Sequence, residues 1–261
     1  MQYFRLAISL VASSLFATSS AFTVTGTKWM MGPNLAIHLP GFEGTPGFVT
    51  WSIMGASLPI MGFETHMGDT TTDFGMLLGT SSLDEEIAVI EECFETWSAV
   101  SGIVAIGPVL DGGAPGGAPE FMGAHLGDIR FGAIGGFIAG GLAHAVGPGT
   151  EELFGVGGTI GGDLHVNDEL TWVDDPDDPI GDTIYDLHTV VLHELGHSLG
   201  LGHSDVAGAV MAASYEGGKR SLTADDVEGI SYIYGPVPEP SSLALLGIGT
   251  LALLRKTRKK K

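Results

Sequence analysis

This chain of 261 residues has one cysteine and only 11 lysines and arginines. A single thiol excludes an intrachain disulfide framework and any cysteine-rich zinc module. The shortage of cations stands against 31 acidic residues and a formal net charge of -20. That balance argues against nucleic acid as a partner, because phosphate binding needs clustered Lys and Arg. Apolar runs that reach the ~20 residues of a confident membrane span are missing too. Glycine is abundant, with 41 residues, and the 44% apolar content excludes wholesale disorder. The length suits one large domain or two small ones and is enough to bury a core.

The few basic residues gather at the ends. Arg5 stands near the start, and Arg255, Lys256, Arg258, Lys259, Lys260 and Lys261 close the chain. Only Lys28, Arg130, Lys219 and Arg220 lie between, against all 31 acids. Both ends therefore read as addresses. In residues 1–21, Arg5 precedes the apolar stretch Leu6 to Phe16, and Ser19 and Ala21 place small residues before a cut at Phe22, as in a secretory signal. At the other end come Val237-Pro238-Glu239-Pro240, an apolar run from Leu243 to Leu254, and the basic cluster. This three-part order resembles the PEP-CTERM sorting signal of Gram-negative bacteria. The resemblance implies transient inner-membrane anchoring with the basic end cytoplasmic, cutting near the Pro-Glu-Pro by a membrane-bound processing enzyme, and delivery to the cell surface or exterior. An ordinary tail anchor is the alternative. The expected division is 1–21 signal peptide, 22–236 one domain, and 237–261 sorting signal.

Within the domain, β-like patches fall at Leu35–Leu39, Phe48–Ile53, Ile103–Val109, Ile129–Phe131 and Leu142–Val146. Residues 54–80 have no clear pattern, and the Gly/Pro-rich stretch 111–119 reads as a loop. A helix is predicted from Ser82, with Ser82 and Glu85 as a capping box and Ile87, Ile90, Phe94 and Trp97 on one face. Cys93 near that face reads as a small buried apolar residue. Residues 184–200 and 223–234 are predicted helical.

The decisive stretch is His193-Glu194-Leu195-Gly196-His197-Ser198-Leu199-Gly200-Leu201-Gly202-His203. On a helix, His193 and His197 lie four apart on one face and can hold one zinc ion as neutral imidazoles. Glu194 projects from the adjoining turn, as a general base would. Gly200 can take the left-handed conformation that ends the helix, and the returning chain offers His203 as a third ligand. Three histidines leave the fourth tetrahedral position open, the mark of a catalytic site.

This long motif, with Ser204 next, Met211 and Tyr215 beyond it, and the segment Leu222–Gly235, resembles the matrixin branch of the metzincins, the matrix-metalloprotease type. Asp128–Phe131, Leu142–Ala145, Gly162–Val166 and Lys28-Trp29 resemble its strands and its opening, so the likeness spans most of 28–235. The resemblance implies an α+β metzincin/zincin catalytic domain with a twisted, mostly parallel sheet, three helices, and an active-site helix carrying the ligands. It implies one catalytic zinc with Met211 beneath it. It also implies a substrate strand added at Leu142 and Ala143, Tyr215 near the cleavage site, and Thr189 at a position that sets pocket depth, where a small residue points to an open pocket.

There are departures. Ala213 stands where the family has proline. His144 and His165 match two ligands of a second, structural zinc, but 131–143 holds no His or Asp to complete that set. The acidic ligands of a family calcium site correspond to Asn167 and Leu170; the run Asp174–Asp178 could bind calcium instead, with a solvated acidic loop the favoured reading. No cysteine precedes the domain in a latency motif, and the family's pairing of a mature N-terminal ammonium with an Asp of the last helix maps onto Phe22 and Asp225. The expected function is an exported zinc-dependent endopeptidase, monomeric, acting on protein or peptide with Glu194 as general base. A non-catalytic zinc-binding surface or extracellular-matrix protein, and a zinc hydrolase of non-peptide bonds, are the alternatives.

Overall fold

Five strands pair into one sheet: β3 (Gly47–Ile53), β4 (Ile103–Ile106), β5 (Ile129–Ile134), β6 (Ala143–Ala145) and β7 (Leu164–Asn167), in the order β4-β3-β5-β7-β6. The structure is a computed structural model that describes residues 21–237 apart from 31–35, 61–69, 81, 117–126, 136–140, 150–159 and 179–182. All pairings within the sheet are parallel except that of edge strand β6, which runs antiparallel to β7 and sets His144 opposite His165. Two small pairs accompany it: β1 (Thr27–Trp29) with β2 (Ala36–His38), and β8 (Thr171–Val173) with β9 (Ile184–Asp186). The described helices are α1 (Asp84–Ser98), α2 (Leu187–Ser198) and α3 (Ala224–Tyr234). The class is therefore α+β with a mostly parallel sheet, as the resemblance implied. Most of the signal and the sorting tail lie outside the described residues.

Alternation decides what each face of the sheet buries. Trp51 of β3 and Phe131 of β5 meet Phe94 of α1, with ring centroids 5.8 to 6.1 Å apart. Each such aromatic contributes roughly 1.5–3 kcal/mol by leaving water. Helix α1 is bound to α2 by Trp97, whose indole N–H donates to the Leu192 carbonyl at 3.1 Å. Cys93 is buried in the same seam, and burial pushes its thiol up, which suits a core residue. Strand β1 links the last turn of α2 to α3: the Trp29 indole donates to Ser198 O, and its backbone N–H to the Tyr234 hydroxyl. Lys28 is fully buried and directs its ammonium at the carbonyls of Phe42, Thr45 and Ile233.

The opposite face of the sheet carries a buried charge. Arg130 of β5 is bidentate to Asp111, at 2.8 and 3.1 Å, and donates to Ala114 O; Asp163 is 3.7 Å away. Segment 111–116 is thereby fastened over the sheet. Burial alone raises the Asp111 pKa, but pairing with Arg130 outweighs it and holds the carboxyl below its ordinary value.

Several local expectations are corrected. Helix α1 starts at Asp84, and no capping box forms, because the Ser82 hydroxyl bonds the Asp84 N–H and carboxylate instead. Its buried face is Val89, Ile90, Cys93, Phe94 and Trp97, with Ile87 only half-buried. A capping box does form on α3, between Thr223 and Asp226. Residues 184–186 are strand, and α2 begins after them, because the Asp186 carboxylate caps the Thr189 N–H.

Replacing Arg130 by Met removes the guanidinium that pairs with buried Asp111. It is expected to cost about 3–5 kcal/mol of unfolding free energy in a urea titration; a loss below about 1 kcal/mol would show that the pair adds little.

Candidate active site and metal centre

Helix α2 places His193 and His197 on one face, and its end is built to bring back a third histidine. Gly200 has φ +104° and donates to His197 O, while Leu201 donates to Gly196 O, the paired bonds of a Schellman stop. A side chain at 200 would strike Thr27 O at 2.7 Å. The chain then pairs with the N-terminal segment: Thr25 N–H donates to Gly200 O, Gly202 N–H to Thr23 O, and the Thr23 hydroxyl to His203 O. His203 is thus held from behind by residues 23–25.

The imidazole orientations follow from their outer hydrogen bonds. A carbonyl only accepts, so Nδ1–H of His193 donates to Val210 O at 2.7 Å, and Nδ1–H of His197 to Leu201 O at 2.8 Å. Their Nε2 lone pairs are left bare. The three rings stand 4.7 to 5.4 Å apart, and their ligand nitrogens all lie within 4.8 Å of one another. Burial, together with the neighbouring histidines, lowers the His193 pKa to about 4, and burial also lowers that of His197. Neutral imidazole is the ligand form, so the donor set fits one zinc ion. Among the described residues it is the only cluster of three ligands.

Met211 is buried against the active-site helix, and Gly196 makes room for it: a Cβ there would strike the Met211 sulfur. The Met211 turn is gripped by Asp226, whose carboxylate accepts the N–H groups of Val210 and Met211. Its neighbour Asp225 accepts the Ser204 hydroxyl and the N–H groups of Ala21 and Phe22.

A cleft of about 540 Å³ opens beside the histidines and brings the expected residues together. His193, Glu194 and His203 line it with Leu142, Ala143, Thr189 and Tyr215. Burial pushes Glu194 up to about 8, and a dication held by the histidines beside it would favour the carboxylate. Thr189 lines the cleft, and its hydroxyl accepts the Lys219 N–H at 2.6 Å, which ties the pocket loop to the start of α2.

Asp186 and Arg220 went unread in the sequence, since only folding brings them together. Arg220 is bidentate to buried Asp186, both contacts 2.8 Å, and also reaches Asp174 at 2.6 Å. The Tyr215 hydroxyl donates to Asp178 and accepts the Asp186 N–H. The acidic run is therefore no purely solvated loop; Arg220 and Tyr215 engage it as a brace for the pocket wall. Asn167 bridges Gly141 O and the Glu169 N–H with its own amide. His144 and His165 face each other at 3.3 Å in a mutual hydrogen bond.

The arrangement defines a three-histidine metal-hydrolase centre on a mostly parallel α+β scaffold. Comparison with known proteins narrows the class: the Matrixin family matches residues 76–235, and the PEP-CTERM protein-sorting motif matches residues 236–259. The chain belongs to the matrixin family of metzincin zinc metalloendopeptidases and carries a PEP-CTERM tail. It is 38% identical to the interstitial collagenase of Sus scrofa over 200 residues, 76% of this chain and 36% of the relative. It is 41% identical to Metalloendoproteinase 2-MMP of Arabidopsis thaliana over 106 residues, 39% of this chain and 25% of the relative. The chain spans only 29% to 39% of the length of the interstitial collagenases to which it is similar.

Gly196→Ala is expected to push Met211 off its seat. The substitution should cost about 1–3 kcal/mol of stability and weaken zinc retention in a chelator competition; unchanged retention would detach Met211 from the metal centre.

Proposed function

We propose that the protein is an exported, monomeric endopeptidase that uses one zinc ion, held by His193, His197 and His203. The observation that carries this is the convergence of the three imidazoles on one centre, with Glu194 and the cleft beside it. Held by these three histidines, zinc would supply Lewis acidity toward water and a peptide carbonyl. Glu194 takes the proton of the attacking water and passes it to the leaving amine. Strand β6 is the last of its sheet and flanks the cleft, so an extended substrate can pair its backbone with Leu142 and Ala143. Tyr215 and Thr189 hold the adjoining pocket wall.

Export fits the signal-like start and the sorting tail. The basic end would hold the tail in the inner membrane of a Gram-negative cell until processing enzymes deliver the domain to the surface or exterior. Among the described residues no helix is long and apolar enough to cross a membrane. Cleavage before Phe22 would also complete the site. The Phe22 nitrogen lies 3.0 Å from Asp225, and the next residues hold His203. A free ammonium there would strengthen that contact to a charge pair.

Two measurements test these steps. Glu194→Ala should retain one zinc per chain and lose roughly 10²–10⁴ of the turnover of a peptide library, as chelation does for the wild type; retained turnover removes the proposed base. A chain starting at Phe22 should be more active than one carrying two extra residues ahead of it, and equal activity would sink the role of the ammonium.

A further inference from the structure

Four basic residues serve the whole stretch 22–238, and two of them sit in the loop that walls the cleft. Lys28 and Arg130 are spent inside the fold, and Arg220 is committed to Asp186 and Asp174. Lys219 is the one of the four that lines the cleft. Its backbone cannot drift, because its N–H is fixed on the Thr189 hydroxyl at the start of α2. Its ammonium donates to Ala209 O at 3.0 Å and to the Glu216 carboxylate at 2.9 Å. An ammonium has three N–H donors, and the third has no acceptor among the described residues. The charge lies near enough to the metal ligands for His193 to feel it.

The two partners of this ion pair are held unequally. The Lys219 side chain is 15% exposed, and that of Glu216 is 40% exposed. An exposed carboxylate in such a pair is weakly bound and can swing into water at little cost. Lys219 would stay behind with its charge in the pocket. Glu216 thus occupies the place that a carboxylate from outside could take.

Resting on the peptidase reading above, we propose that Lys219 is a specificity-determining residue, selecting substrates that carry an acidic side chain next to the cleaved bond. Glu216 competes with that side chain for the ammonium and tempers the selection. The substrate class is an acidic stretch of protein, recognised at short range in spite of the enzyme's own negative charge.

The test is a peptide library randomised at the positions flanking the cleaved bond, digested by the full chain loaded with zinc. Ionic strength is held near 0.15 M, where the Debye length of about 8 Å screens the distant acidic surface. Glu and Asp should be enriched at one flanking position. In Lys219→Met the ratio of kcat/KM for a Glu peptide over its Leu counterpart should fall about tenfold, as expected for one charged hydrogen bond. Lys219→Arg should keep the preference, and Glu216→Gln should raise it. Both peptides are read on the same sample, so the ratio does not depend on how much of a variant folds. An unchanged ratio in Lys219→Met, or a wild type that prefers Lys or only apolar residues there, overturns the assignment. Absence of any cleavage by the zinc-loaded wild type would instead remove the peptidase reading itself, and this inference with it.

Discussion

Asp226 holds two successive backbone N–H groups, those of Val210 and Met211, and the metal centre depends on that grip. It sets the Val210 carbonyl that orients His193 and seats Met211 under Gly196. The adjacent Asp225 does the same work on the other side, through Ser204 and the N-terminal segment that supports His203. One helix start, two neighbouring carboxylates, and both non-helical approaches to the ligand set are anchored. The carboxylates sit in the first turn of α3, where the helix dipole favours negative charge.

The scarcity of cations has a structural meaning. Each of the four basic residues of the domain is placed where a charge is needed. Lys28 gathers carbonyls from the loop after β2 and from α3. Arg130 neutralises Asp111 beneath a loop. Arg220 binds the acidic run to the cap of the active-site helix, and Lys219 enters the cleft. In a chain so acidic, a buried cation is a sharp constraint, because removing it leaves carboxylates with no nearby replacement.

Much of the site was legible because its residues are close in sequence. His193 and His197 share a helix face by period alone, and a glycine at 200 announces a left-handed stop. The strands read well where apolar residues cluster, as in Phe48–Ile53, and the start of α1 read less well, because Ser82 could bond its own neighbour Asp84 as easily as cap the helix. Residues 184–186 looked helical because their apolar pattern runs on into α2, yet pairing with β8 claimed them.

What the sequence determined by itself is therefore that His193, His197 and His203 converge with Glu194 beside them, since helical geometry converts short spacings directly into distances. What only the tertiary structure decided is how the cleft is walled. Asp186 and Arg220 are 34 residues apart, and Thr189 and Lys219 are 30 apart. No local rule relates such pairs. Their meeting depends on loop closure across the folded core, and so the pocket that Lys219 enters appears only once the chain has folded.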